Sequence, residues 1–271
     1  MLTKRLPAVA GLFYPEDCRT LSEEINRYLR LAPISEIIPK ALIVPHAGYI
    51  YSGAIAAAGY STLHSIAAQI RRVVLLGPAH RVALRGLALP GVDSFITPLG
   101  QVEIDHDAVA RIKSLPQVIV SPQAHQTEHA LEVQIPFLQT MLAEFKLLPL
   151  VVGMASVDEV VEVLNCVWGG EETLIVVSSD LSHYLSYESA QNEDSKTALS
   201  ILQLRPLVNH EQACGATSIN GLLAAARQHH LIAHLLDLRN SGDTAGSREQ
   251  VVGYGAFAFA ESHLARKYHD A

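Results

Sequence analysis

The feature that most constrains this chain is a recurring order of short apolar run, polar loop and helix-length segment. The runs are Ala41–Val44, Arg72–Leu76, Leu147–Val152 and Thr173–Val177. They are rich in β-branched residues and continuously apolar, as strands buried on both faces are. Helix-length segments fall at Ser52–Ala68, from Ser156 to about Trp168, at about Tyr187–Leu204 and at about Thr217–His230. Ser156 followed by Glu159 has the spacing of a capping box. Alternation of this kind predicts a mostly parallel central sheet flanked by helices. Ile232–Leu238 and Val251–Ala260 read as two more strands around the polar loop Asn240–Ser247. Residues 85–104 read as a smaller hairpin turning at Pro98-Leu99-Gly100. No linker, repeat or low-complexity stretch divides the chain, so one α/β domain over residues 1–271 is expected.

A further helix is predicted from about Thr127 through Glu128-His129-Ala130-Leu131-Glu132-Val133-Gln134-Ile135-Pro136-Phe137-Leu138. Leu131, Ile135 and Leu138 would share its apolar face. Glu128, His129 and Glu132 would form a solvated one. Pro136, lacking an N–H, would kink it.

Composition narrows the function. The net charge of −7 comes with no basic stretch beyond pairs such as Arg71-Arg72, which argues against a nucleic-acid partner. The longest apolar runs, Leu147–Ala155 and Val251–Ala260, are shorter than the ~20 residues of a membrane span. Met1–Pro7 lacks the apolar core of a signal peptide. Cys18, Cys166 and Cys214 are far apart and form no C-x-x-C pair, which fits a reducing compartment, here the cytoplasm. The 13 histidines are the richer chemical signal, since imidazole serves metals and proton transfer.

Three of the apolar runs end in polar clusters: Pro45-His46-Ala47-Gly48-Tyr49, Gly77-Pro78-Ala79-His80 and Ser178-Ser179-Asp180-Leu181-Ser182-His183-Tyr184. Ligands of open α/β sheets bind beyond the carboxyl ends of the strands, so these clusters should converge. Individually each residue also has a plain structural role: His46 bonding its loop, His80 capping a turn, Asp180 an N-cap, Cys214 an inert buried thiol. Cys214 precedes Gly215 and a helix, whose N-terminus would lower its thiol pKa. His229 and His230, at that helix's far end, suit its dipole and need no chemistry. Taken together, His46 and His80 with a thiolate or carboxylate form a three-ligand metal site with open positions. Asp180 and His183 would then be supporting groups or an acid–base pair.

These blocks also carry a resemblance. Arg5-Leu-Pro-Ala-Val-Ala-Gly-Leu-Phe-Tyr-Pro15, the three clusters above, Ser52-Gly53, Glu128 through Leu138, Cys214-Gly215 and Val252-Gly253-Tyr254-Gly255 resemble the Memo family, named for a mediator of cell motility. Its microbial members are called AmmeMemoRadiSam system protein B. The resemblance implies a fold similar to class III extradiol dioxygenases. It implies iron or copper, with zinc as a further candidate, on His46, His80 and Cys214. It matches Asp180 and His183 to the family's pocket Asp and His, His183 resembling the base of the ring-cleaving enzymes. Those enzymes use a carboxylate where this chain offers Cys214, so ring cleavage is not expected. The family's name implies a companion radical enzyme, and some members bind phosphotyrosine peptides. Three functions fit: a metal-dependent redox enzyme, a pocket that binds a peptide or small molecule without turnover, and a metal-dependent hydrolase in which His183 or Glu128 activates water.

Overall fold

A computed structural model describes residues 3–206 and 208–261; the outer ends of the expected 1–271 unit, Met1 and Leu2 among them, lie outside the described residues. The chain opens with β1 (Lys4–Arg5), α1 (Cys18–Leu31), β2 (Ala41–Val44), α2 (Tyr49–Tyr60) and β3 (Arg72–Pro78). Next come β4 (Leu87–Leu89), β5 (Ser94–Thr97), β6 (Gly100–Glu103), α3 (His106–Ile112), β7 (Val118–Val120), α4 (Pro122–Gln126) and α5 (Ile135–Met141). Then follow β8 (Lys146–Val152), α6 (Val157–Val167), β9 (Thr173–Ser178) and β10 (His183–Leu185). The last elements are α7 (Tyr187–Leu202), α8 (Ala216–Gln228), β11 (Leu231–Asn240) and β12 (Val251–Glu261). No helix among the described residues is long and apolar enough to cross a membrane.

The nine-stranded sheet is mixed. Its centre, β2-β9-β3-β8, is parallel as the apolar runs predict. Antiparallel pairing enters on both sides, through β12 against β2 and β4 against β8. β11 lies along β12, and β10 takes the stretch of β12 that β2 leaves free. The expected small hairpin is β5–β6, which β1 joins in a separate three-stranded sheet.

Strand side chains divide by parity. Ile43, Val74, Leu76, Leu148, Leu150, Ile175 and Val177 pack with α3, α6 and α8 residues on one face. Leu42, Val44, Val73, Leu75, Leu147, Val151, Leu174 and Val176 pack with α1, α2 and α5 residues on the other. Both faces are therefore covered, which is why these strands read as unbroken apolar runs. Pro149 sits inside β8, between the Ile104–Leu147 bridge and the point where β4 joins at Val151. The sheet tolerates it there because that edge is unpaired. Ser156 caps α6 in the predicted capping box, its hydroxyl accepting from Glu159 N–H while the Glu159 carboxylate accepts from Ser156 N–H.

The segment after Thr127 departs from its pattern. It is not one helix: residues 128–131 form a loop, Glu132–Gln134 one 3-10 turn, and α5 starts only at Ile135. Pro136 occupies the first turn of α5, where no N–H is needed, and produces no kink. The expected solvated face is buried as well. Glu128 and Glu132 are 2% and 0% exposed, so both carboxylates must be satisfied internally. Glu132 pairs with the buried Arg5 guanidinium and accepts from Ala8 N–H, Val9 N–H and Tyr14 O–H. Arg5 also donates to the carbonyls of His125 and Glu128. This knot ties the N-terminal strand to the loop that enters the site.

Replacing Glu132 with Leu strands a buried Arg5 charge and should cost about 3–5 kcal/mol in urea unfolding. The double variant Arg5→Met, Glu132→Leu should lose less than the single one. A Glu132→Leu cost below about 1 kcal/mol would remove this pair from the fold's main supports.

Candidate metal centre

Parallel pairing of β2, β9 and β3 places their carboxyl ends side by side, and each polar cluster begins where its strand stops. His46 lies two residues past β2, His80 two past β3, and Asp180 two past β9. The rings of His46 and His80 meet edge to face with centroids 5.2 Å apart. His129, from the loop before the 3-10 turn, stacks on His80 at 4.7 Å and stands edge-on to His46 at 5.4 Å. One nitrogen from each of these three imidazoles lies within 4.8 Å of the other two. Cys214 reaches the cluster through His46, with Sγ 3.2 Å from Nε2. Its placement depends on Gly215, where an added Cβ would lie 2.7 Å from Ser179 Cβ and 3.0 Å from Ser178 O. A side chain there would push the start of α8 away from the end of β9.

The structure groups His46 and His80 with His129, which the sequence pattern did not single out, and brings Cys214 against His46. The predicted helix hid His129, by giving it to a solvated face. The signal that could have found it is the pairing of His129 with Glu128 and Glu132 beside apolar residues: acidic groups that turn out buried hold the loop inward.

Each of the first two imidazoles is gripped on its Nδ1 side. His80 Nδ1 lies 2.8 Å from Glu128 Oε1, and His80 N–H donates to Glu128 Oε2. His46 Nδ1 lies 2.9 Å from Ser178 Oγ. Carboxylate or hydroxyl support behind a metal-facing imidazole is the usual way a ligand ring is oriented. Asp180 accepts from the His46 N–H at 2.7 Å, so it orients the backbone of His46 rather than a ring. His183 is half-buried on β10, close enough to affect the charge of both His46 and Asp180. Next to it, Tyr184 is exposed with φ 58°, at the register shift between β10 and β12. A left-handed bulky residue at a strand irregularity is strain kept beside a site.

Burial, then the neighbouring His80, pushes the His46 pKa down to about 3. Burial, then His46, pushes His129 down to about 4. Burial works against the charge on Glu128, yet hydrogen bonds from His80 and the Ala130 N–H hold its carboxyl down to about 2. Burial raises Asp180. Burial, then the Asp180 carboxylate, lifts the Cys214 thiol to about 12, so the helix N-terminus does not lower it as its sequence position suggested. The His46 and His129 imidazoles are therefore neutral beside a neutral Cys214 thiol, with lone pairs to offer.

The Memo-like protein family model matches residues 5–258. The chain belongs to the Memo family. A MEMO1 family protein of Aquifex aeolicus is 36% identical, over 94% of this chain and 98% of its own. One from Archaeoglobus fulgidus is 34% identical, over 94% and 99%. The solved structure of uncharacterized protein JW3007 from Escherichia coli K12 overlaps 79% of this chain and 98% of its own, with a TM-score of 0.49 and 14% identity. That likeness is too distant to add to the fold described above. Family membership covers every residue of the site, from His46 to Cys214.

Three imidazoles held neutral by burial, those of buried His46 and His125 and half-buried His129, give the metal-free protein a defined acid response. Each protonates near 6.5 when unfolded and only at about 3 to 4 in the fold, so between these values the unfolded chain binds more protons. Stability should fall with falling pH from about 6.5 to 4, by up to about 1.4 kcal/mol per pH unit for each imidazole. Denaturation midpoints measured across that range check it. A flat profile would mean these rings are not buried neutral.

Proposed function

We propose that the protein binds one redox-active transition metal, iron or copper, through His46, His80 and the Cys214 thiolate, and acts on a small-molecule or peptide ligand that enters beside His183. One observation carries the reading: two imidazoles with their Nδ1 sides engaged from behind crowd their remaining donors together with His129 and the Cys214 sulfur. The donor set suits the group. Neutral imidazole accepts iron, copper or zinc, and a thiolate moves the preference toward softer ions. Bound there, such a metal would supply one-electron redox chemistry and polarise a ligand on its open side.

The chain's own groups do the rest. Cys214 gives up its proton on coordination, so metal uptake releases a proton and weakens as pH falls. Asp180 holds the His46 backbone in register with the end of β9. His129, stacked on His80, offers a further imidazole. His183 moves protons at the open edge. A thiolate ligand also suits a reducing compartment such as the cytoplasm.

Metal analysis of protein purified without oxygen or chelator should find iron or copper near one equivalent, and His46→Ala or His80→Ala should each lose at least about 10-fold in affinity. Cys214→Ser should abolish sulfur-to-metal charge transfer in the oxidised form. A band that survives Cys214→Ser gives the third position to His129 and overturns the thiolate. Zinc alone, with ester or amide turnover, would replace the redox reading by hydrolysis.

His183→Ala should keep the metal and lower ligand binding or turnover by about 10²-fold or more. Catechols supplied with the ferrous protein and oxygen should not be ring-opened, because a thiolate alters the iron's potential and is itself an oxidation target. Ring-opened product that vanishes in His46→Ala and persists in Cys214→Glu would show that the thiolate does not decide the chemistry.

A further inference from the structure

Behind His46 lies a buried polar chain whose proton positions follow from the heavy atoms alone. Ser178 Oγ has three polar neighbours: Ala130 O at 2.6 Å, Gln134 Nε2 at 2.8 Å and His46 Nδ1 at 2.9 Å. The carbonyl can only accept, so it takes the single hydroxyl proton. The amide nitrogen can only donate, and its assignment is fixed twice: Nε2 also reaches Pro45 O at 2.8 Å, while Oε1 accepts from Tyr60 O–H at 2.9 Å. With its proton spent on Ala130, Ser178 must accept from His46. The ring therefore carries its proton on Nδ1 and bares the Nε2 lone pair. The contact on the other side of the ring is compatible, since a bare Nε2 can accept from the Cys214 S–H at 3.2 Å.

We propose that Ser178, itself oriented by Gln134 and Tyr60, is a positioning residue that fixes His46 in the Nδ1–H tautomer and so keeps Nε2 ready for a metal. Neutral histidine in water favours the opposite tautomer, so the protein must hold this one in place. All of these groups are buried, which removes water as a competing partner. The inference rests on the metal-binding reading above only for its purpose; the tautomer is a property of the metal-free chain.

The test uses the full chain, metal-free, with nitrogen-15 histidine, read by long-range proton–nitrogen correlation. Wild type should show His46 protonated at Nδ1 and bare at Nε2. Protonation at Nε2 overturns the proposal, whatever the protein binds. Ser178→Ala and Gln134→Leu should shift His46 toward Nε2–H or a mixture. They should weaken zinc, used as a redox-silent probe in competition with a chromophoric chelator, by about 10- to 100-fold. Full retention of the Nδ1–H form in Ser178→Ala overturns the proposal too, as does an unchanged zinc affinity in a variant whose tautomer has shifted. Should wild type take up no zinc, iron or copper, the metal reading fails while the wild-type and variant tautomers still decide this one. If Ser178→Ala does not fold, the wild-type spectrum and Tyr60→Phe, which only releases Gln134, carry the test.

Discussion

The Glu132 carboxylate, fully buried and met by Arg5, two backbone N–H groups and the Tyr14 hydroxyl, is the interaction on which the site's geometry rests. A charge in that position is tolerated only because every lone pair has a donor, and each donor belongs to the N-terminal segment. Glu132 therefore holds two distant stretches of chain in one register. Arg5 continues the path by donating to the Glu128 carbonyl, one peptide away from His129.

From there the loop and turn at 128–134 serve as an organiser. Glu128 grips His80 by ring and backbone. Ala130 N–H steadies that same carboxylate, and Ala130 O takes the Ser178 proton. Val133 O accepts from Tyr49 at the start of α2, and Gln134 faces Ser178 and Pro45. A regular helix could not do this, because it would commit the Glu128 and Ala130 carbonyls to the N–H groups four residues further on. The irregular backbone leaves the Glu128 carbonyl to Arg5 and the Ala130 carbonyl to Ser178 at the end of β9. This also explains why the apolar spacing at Leu131, Ile135 and Leu138 misled: all three are core residues, but the first reaches the core from a loop.

The site is a strand-end site of the kind open α/β sheets favour, with a wall added on one side. The sheet supplies His46, His80 and Asp180 through parallel register alone. Cys214 arrives from the start of α8, pressed against β9 by the missing side chain of Gly215. His129 comes from the organiser. Three separate folding constraints therefore meet at one cluster, in which burial keeps the His46 and His129 imidazoles neutral.

The sequence by itself determined the parallel core, because strands buried on both faces must be continuously apolar, and it located the strand ends where His46, His80 and Asp180 stand. It determined the α6 cap and the β5–β6 hairpin through local chemistry, and it named Cys214 through its neighbour Gly215 and the family resemblance. Only the tertiary structure decided that the sheet turns antiparallel at both flanks, since pairing direction depends on which strand arrives beside which. Only it placed His129 among the imidazoles and buried Glu128 and Glu132. Periodicity reports which residues are apolar, whereas the burial of a carboxylate depends on partners such as Arg5, Tyr14 and His80 that lie far away along the chain.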